Sequence, residues 1–453
     1  MTRAPVAGNI TRTIAIQEEV STAAEASTGE WYRAYVLFLL LLIFAFQYLD
    51  RYVLSIVTEA VEAEFHITDS QIGLLMGFAF SVPFAVTLVP YGVLVDRWNR
   101  RNILAVALAV WSASTALVGL TRNAVELGLA RAVIASAESA NNPSALSMLA
   151  DYFTSRRART AAAGIFFMGP PVATAVGFSI IGHVADQFGW RDAFFIAGIP
   201  GMILAALFFL TVREPLREGR TNPAAENVLG LRETLAFVLS QKSCVHLTLA
   251  MTFSAAMSSG FLSWTVTFLM RVHHMPLRDA ATSLALFYGV VAGIGHASGG
   301  FIIGRLSQQD ISRIGYICAL LGALVTIFSI ASALVPVTWV SLLMLAGWAL
   351  PTGLLYGPVI GTIQGLVMPR MRGVMNSAYV LMINLVGAGI GPVFVGVLSD
   401  GLRSAGYAKP LQGALVASAL LHLGVVVHCL FATRTLRNDM DRIDRNLGVT
   451  RNA

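Results

Sequence analysis

Four charged residues stand where the chain is otherwise apolar: Asp50 and Arg51, then Arg131, then Glu138. Without its Asp-Arg pair, the stretch from Tyr35 to Val57 would be an ordinary bilayer-spanning helix. A charge at bilayer depth is costly, so such groups face a protein interior or a water-filled cavity. Arg131 and Glu138 are seven positions apart, nearly two helical turns, and project from one face. Counted from Tyr35, Asp50 falls ~22 Å along its helix, roughly 8 Å short of the far edge of a ~30 Å apolar core. Counted from Glu126 in the opposite direction, Arg131 falls ~8 Å from that same edge, and Glu138 ~18 Å, near the midplane. The shared level predicts one buried network of Asp50, Arg51, Arg131 and Glu138 facing a central cavity. An arginine that changes carboxylate partners as such a cavity opens would load and release a proton. A static ion pair fixing helix packing is the alternative, and Asp50-Arg51 alone could mark a helix end at the interface.

These residues need a membrane scaffold, and the composition supplies one. The 453 residues are 56% hydrophobic and 12% charged, half the usual charged share of roughly 25%, which excludes a set of soluble domains. Twelve apolar stretches are long enough to span: roughly 34–58, 70–95, 102–121, 124–150, 159–184, 190–212, 243–270, 279–304, 313–334, 337–367, 373–399 and 410–433. The fourth, with Arg131 and Glu138, and the tenth, with Pro351 and Pro358, are the least regular by composition. Of the 31 lysines and arginines, 23 fall in segments on the side of the N-terminus and 6 on the other, which places both termini in the cytoplasm. The net charge of +6 is thus a topology signal and implies no nucleic acid. Residues 1–33 lack an early apolar core and read as a cytoplasmic tail, with no signal peptide. The sequon Asn9-Ile-Thr11 falls on the same cytoplasmic side, and the short loops point to a bacterial inner membrane.

The longest break, 213–242, carries nine charges and divides the chain into six spans (34–212) and six more (243–433), followed by a cytoplasmic tail at 434–453. The halves repeat. Gly182-His-Val-Ala-Asp186 closes the fifth span and Gly396-Val-Leu-Ser-Asp400 the eleventh, 214 positions later, and Gly177 matches Gly391 at the same offset. With six spans each, the halves lie parallel. The expectation is an all-α polytopic membrane protein, with twelve transmembrane helices in two parallel six-helix halves. Gly169-Pro170-Pro171 and Gly387-Ala-Gly389-Ile-Gly391-Pro392 take equivalent places and should allow close packing and bending. Cys244, Cys318 and Cys429 show no metal-ligand spacing and read as small core residues.

The loop after the second span reads Gly92-Val-Leu-Val-Asp96-Arg97-Trp98-Asn99-Arg100-Arg101. It resembles the signature loop of the major facilitator superfamily: a glycine, Asp-Arg, a tight turn and paired basic residues. Gly92 is expected to permit close helix approach, Asp96 to accept bonds at a neighbouring helix terminus, and Arg97, Arg100 and Arg101 to hold the inner face. Asn99 stands where the family usually has glycine, and asparagine is the residue next most willing to turn left-handed. The second half keeps a degraded echo, Gly299-Gly300-Phe-Ile-Ile-Gly304-Arg305-Leu306, which puts a matching latch there in question. Tyr48-Leu49-Asp50-Arg51-Tyr52, Arg131-Ala-Val-Ile-Ala-Ser-Ala-Glu138, Ala150-Asp151-Tyr152-Phe153 and Tyr356-Gly357-Pro358 resemble the spinster branch. Some organic-anion symporters share a similar first span and fourth-span arginine. The spinster resemblance implies Asp50 and Arg51 as a protonation switch with Arg131 and Glu138 as partners, working by alternating access.

Asn141, Asn142, Trp264, Tyr356 and Asn384 are candidates to line the substrate cavity, though each is as readily a helix-helix contact. His296 reads as a satisfied interior histidine. Spans seven, eight, ten and eleven add aromatic residues and no charge, so an amphipathic or lipid-like organic substrate with one ionic head suits the cavity. The lysolipid or sphingoid cargo implied by the spinster resemblance agrees. Arg51 and Arg131 equally suit a small organic or aromatic carboxylate, and a multidrug antiporter shares the fold. A channel or a transport-dead sensor is the reading from another class. No nucleotide-binding loop, HExxH or GxSxG is present, so an ATP-driven pump and an enzyme are disfavoured. No cofactor is expected beyond the proton gradient, and the expected partners are the lipid bilayer, protons and the substrate, with the chain acting as a monomer.

Overall fold

The computed structural model describes residues 29–215, 231–307, 310–368 and 371–446. Residues 1–28 of the expected N-terminal tail with its sequon, half of the 213–242 linker (216–230) and the last seven residues lie outside that set. Among the described residues eleven helices are long and apolar enough to cross a membrane. They are the first span Glu30–Ile56, second Asp69–Arg97, third Arg100–Val118, fifth Arg157–Phe188, sixth Trp190–Thr211, seventh Lys242–His273, eighth Leu277–Leu306, ninth Arg313–Leu334, tenth Thr338–Gly365, eleventh Val374–Ser404 and twelfth Pro410–Ile443. The fourth crossing is made by two helices, Ala124–Glu138 and Asn141–Tyr152, parted at Ser139 and Ala140. The all-α, twelve-helix expectation holds.

Polar residues punctuate the apolar runs by satisfying the first free N–H groups of each helix. Thr68 and Gln71 form a reciprocal capping box at the second span. Asn123 Oδ1 accepts from Glu126 N at 2.9 Å and opens the fourth. Gly189, at φ +97°, turns the chain between the fifth and sixth. Asn99 departs from its expected left-handed turn: at φ −70° and ψ 112° it is extended, and Oδ1 accepts from Asn102 N at 2.9 Å. An asparagine side chain can cap where a glycine could only bend.

Irregularity also falls elsewhere than expected. The tenth span is one continuous helix through Pro351 and Pro358, where the sequence predicts a disruption. A membrane helix tolerates interior prolines, and here the Thr352 and Thr362 hydroxyls add bonds to the carbonyls of Trp348 and Pro358, at 2.8 Å each. Wider π-helical turns occur instead at Ala173–Gly177, Ala285–Val290 and Met382–Ala388. The first and last fall at the glycine-proline stretches expected to bend; the middle one carries no such signal.

The halves meet along the first and seventh, second and eleventh, and fifth and eighth spans. The sequence repeat becomes a repeat of contacts. A Cβ on Gly182 would lie 2.4 Å from Ala281 Cβ across the fifth–eighth seam, and one on Gly396 would lie 2.2 Å from Asp69 O across the second–eleventh seam. Gly92 does not behave this way: a Cβ there meets nothing within 4 Å, so the expected close approach does not occur at it. The three cysteines are buried, as expected of core residues. For orientation, the end holding Glu62 and Arg271 is called the acidic end, and the end holding Arg100 the basic end.

Candidate functional site

Helix breaks build the polar cluster of the first half. The second span interrupts at Gly77, where a Cβ would lie 2.3 Å from Gly389 O of the opposite half. The last carbonyls of a helix lack partners within it. Leu75, just before the break, accepts from Arg131 Nε at 2.9 Å. The break in the fourth span does the same for Glu138, whose backbone carbonyl accepts from Gln47 Nε2 at 3.1 Å. Gln47 Oε1 in turn accepts from Asn141 Nδ2 at 2.6 Å.

Arg131 is the centre of this cluster, 1% exposed, and reaches the first span by a 3.3 Å bond from Nη2 to Arg51 O. Its guanidinium lies 5.3 Å from the centroid of the Phe80 ring, and that of Arg51 lies 4.8 Å from the same ring. One aromatic ring therefore serves two cations.

Asp50 and Glu138 are each 1% exposed. Both Asp50 oxygens, Oε1 of Glu138 and Nη1 of Arg131 are buried without a hydrogen-bond partner. Thr115 of the third span adjoins Asp50. The structure thus gathers the four expected residues but joins no two of them in an ion pair. Asp50 and Arg51 also part company. Asp50 points into the first half, whereas Arg51 is half-buried and donates from Nη1 to Oδ1 of Asn384, 3.1 Å away in the eleventh span.

Of the residues expected to line a cavity, Asn384 and Tyr356 stand nearest that role. Tyr356 is 36% exposed, within electrostatic range of Arg51, and its ring lies 5.7 Å from His296. His296 Nδ1 meets Ala292 O at 2.8 Å, in keeping with an interior histidine. A shallow recess, no larger than a water molecule, opens nearby among Ile360, Ile363, Gln364, Met375, Asn376 and Tyr379. Asn141 is fully buried within the first half, and Asn142 is half-buried with its Oδ1 unpartnered. Trp264 is fully buried and donates from Nε1 to Pro392 O at 3.0 Å, which puts it in the seventh–eleventh helix seam.

At the basic end Arg100 is an anchor. It is 2% exposed and pairs with Asp151 and, at 2.7 Å, with Glu214, while Nη1 reaches Ser147 Oγ and Nη2 the carbonyl of Pro215. Arg101 N donates to the other Glu214 oxygen at 2.8 Å, and its guanidinium covers Phe209 at 4.8 Å. Asp96 and Arg97 are exposed. In the second-half echo Arg305 lies over Phe301 of its own helix at 4.3 Å. Gln47, Phe80 and the Leu75 carbonyl were not expected. Gln47, three residues before Asp50 in an apolar span, carried a usable signal; Phe80 carried none.

Two six-helix halves, one enclosing a buried polar cluster that reaches the other through Arg51, define a membrane carrier. The Major Facilitator Superfamily profile matches residues 40–427, and the chain belongs to that family. It is similar to an MFS-type efflux pump of Mycolicibacterium smegmatis, 29% identical over 88% of this chain and 92% of the relative. It is also similar to the hexuronate transporter of Bacillus subtilis, 28% identical over 85% and 92%, and to the sphingosine-1-phosphate transporter SPNS2 of Danio rerio, 24% identical over 79% and 74%. A crystal structure of a bacterial homologue of the human lysosomal transporter spinster, inward-facing and unoccupied, superimposes with TM-score 0.81, at 26% identity over 91% of this chain and 99% of that one. The spinster resemblance therefore stands, and the protein is a transporter rather than an enzyme.

Proposed function

We propose that the protein is a proton-coupled secondary transporter that carries an amphipathic or lipid-like organic substrate by alternating access. One observation carries the coupling: two buried carboxyl groups and one buried guanidinium each keep unpartnered polar atoms within the same cluster. Buried charges are stable when paired and hydrogen-bonded. A proton arriving at Asp50 or Glu138, or a shift of Arg131 from the Leu75 carbonyl to a carboxylate, satisfies those atoms in turn. Arg51 links this cluster to the other half through Asn384, so rearrangement on one side is felt on the other.

The amphipathic cargo is supported by Arg51 beside the half-exposed aromatic Tyr356, a cation next to an apolar ring, and by likeness to a sphingosine-1-phosphate transporter. A small organic carboxylate is the second reading. It is favoured by the Arg51–Asn384 pair, which offers a charge and an amide, and by likeness to a hexuronate transporter. The excess of basic residues on one side supports cytoplasmic termini in a bacterial inner membrane. The acidic end then faces outward. Tails at 1–33 and 434–453, a linker at 213–242 and a monomeric carrier complete the proposal.

Reconstituted protein tests it. Uptake of a lysolipid or an aromatic carboxylate should saturate, run in counterflow and follow an imposed proton gradient. Flux without counterflow would indicate a channel, and absence of flux for every candidate a sensor.

A further inference from the structure

The acidic end is closed by a cluster that neither the intramembrane network nor substrate binding uses. Arg271, near the end of the seventh span, is surrounded by three carboxylates of the first half: Glu59 at 2.5 Å from Nε, Glu62 at 2.5 Å from Nη2 and Asp69 at 2.9 Å from Nη1. Asp69 also accepts from Arg403 Nη2 at 2.7 Å and Ser399 Oγ at 2.5 Å in the eleventh span. Asp400 of that span accepts from Ser70 N at 2.8 Å and pairs with Arg403 at 2.9 Å. Four carboxylates thus share two guanidiniums, an excess of two negative charges where the halves are pressed together. Glu64, on the same short helix Thr58–Phe65, points elsewhere, to Arg191 at 2.6 Å and Trp190 at 2.7 Å.

Glu62 is the member that does not fit as an anion. Its side chain is 10% exposed, and Oε1 is buried without any hydrogen-bond partner. Asp69 lies beside it, and Glu59 is on the preceding turn of its helix. A proton on Oε1 would convert an orphaned acceptor into a donor next to the Asp69 carboxylate and would halve the excess charge. Arg271 would keep Glu59 and Asp69.

We propose that Glu62 is a second proton-binding site, outside the membrane-spanning helices, that is filled when the two halves lock together at the acidic end and empties when they part. Burial, followed by the charges of Asp69 and Glu59 and opposed by Arg271, pushes its carboxyl up from 4.5 to about 8 in the closed arrangement. Parting the halves removes Arg271 and Asp69's second-half partners and returns Glu62 to water, near its ordinary value. Proton affinity is therefore higher in the closed state. Closure is fully favoured below the open-state value and loses that support as pH rises through the closed-state one, a window from 4.5 to about 8. Acid on the side of the acidic end drives that end shut.

The test is a distance measurement on the full chain in nanodiscs, with spin labels at Ala63→Cys and Ala405→Cys, both exposed and one in each half. The closed population should fall as pH rises from 5 to 9. Glu62→Gln should abolish the pH dependence and stay closed. Glu59→Gln, which removes a neighbouring negative charge while leaving Glu62 intact, should move the midpoint to lower pH. Asp50→Asn, whatever offset it adds to the closed fraction through the intramembrane network, should leave that fraction still falling with pH, which separates this site from the network. A flat wild-type response, or a Glu62→Gln chain that still titrates, overturns the proposal. So does a titration lost in Asp50→Asn and kept in Glu62→Gln.

Discussion

Arg51 Nη1 and Asn384 Oδ1, 333 positions apart in sequence, meet at 3.1 Å across the boundary between the two halves. Asn384 is itself held, its Nδ2 donating to Val380 O at 3.0 Å within the π-helical stretch of the eleventh span. The amide is therefore aimed at the guanidinium. A hydrogen bond to a charged group contributes about 1.5–3 kcal/mol, with the lower figure fitting a half-buried pair. Asn384→Leu should therefore shift the balance between the arrangement that makes this contact and the one that does not about tenfold, read as a change in substrate KM. Arg51→Lys should do no better, because an ammonium lacks the planar face that lies over Phe80. Uptake kinetics in proteoliposomes give both values.

Asp50→Asn and Glu138→Gln should each uncouple transport from the proton gradient while sparing counterflow. Each substitution keeps the side chain's shape and removes its ability to change charge. Comparing gradient-driven uptake with exchange under equal pH on both sides distinguishes lost coupling from lost folding. Gradient-driven accumulation at the wild-type level in both variants would reduce the cluster to a structural role.

Arg131→Met should destabilise the protein by about 3 kcal/mol. It removes the bonds that tie the fourth span to the Leu75 and Arg51 carbonyls and leaves both acceptors buried. Thermal unfolding in detergent should show the loss, with Arg131→Lys recovering only part of it, since an ammonium reproduces neither the fork nor the stacking on Phe80.

Gly182→Val and Gly396→Val should each hold the acidic end apart. Their added carbons would fall within 2.4 Å of Ala281 Cβ and 2.2 Å of Asp69 O respectively, distances no side chain tolerates. The distance between spin labels at Ala63→Cys and Ala405→Cys, compared with that across the unmodified seam, reads the opening.

Arg100→Ala should loosen the basic end by about 3 kcal/mol, the cost of leaving Asp151 and Glu214 around a vacated, nearly buried site. Unfolding temperature reports it.

Most of the architecture was legible because membrane spans are long and apolar, and because Gly182 and Gly396 repeat at a fixed offset. Asp50, Arg131 and Glu138 were legible as charges in the wrong solvent. Their connections were not. Whether Asp50 and Arg51 face the same way depends on how the first span is rotated against its neighbours, and adjacent residues on a helix point about 100° apart. Leu75 became an acceptor because the helix breaks at Gly77, a position packed against Gly389 of the other half. Asn99 was misread for a related reason: the chain there needed a cap for Asn102, and sequence alone shows a residue able both to cap and to turn. The π-helical turn at Ala285–Val290 has no proline or glycine pair to announce it.

The division of charge at the acidic end has a consequence for how the chain is made. Glu59, Glu62 and Asp69 are synthesised some two hundred residues before Arg271, and Arg403 comes later still. The nascent first half therefore carries three carboxylates with no second-half cation to meet them, and hydration is their only stabilisation. That keeps its seam wet and unattractive to other apolar helices until the seventh span delivers its own arginine. The order in which the ribosome releases these residues protects the unfinished molecule from the wrong partner.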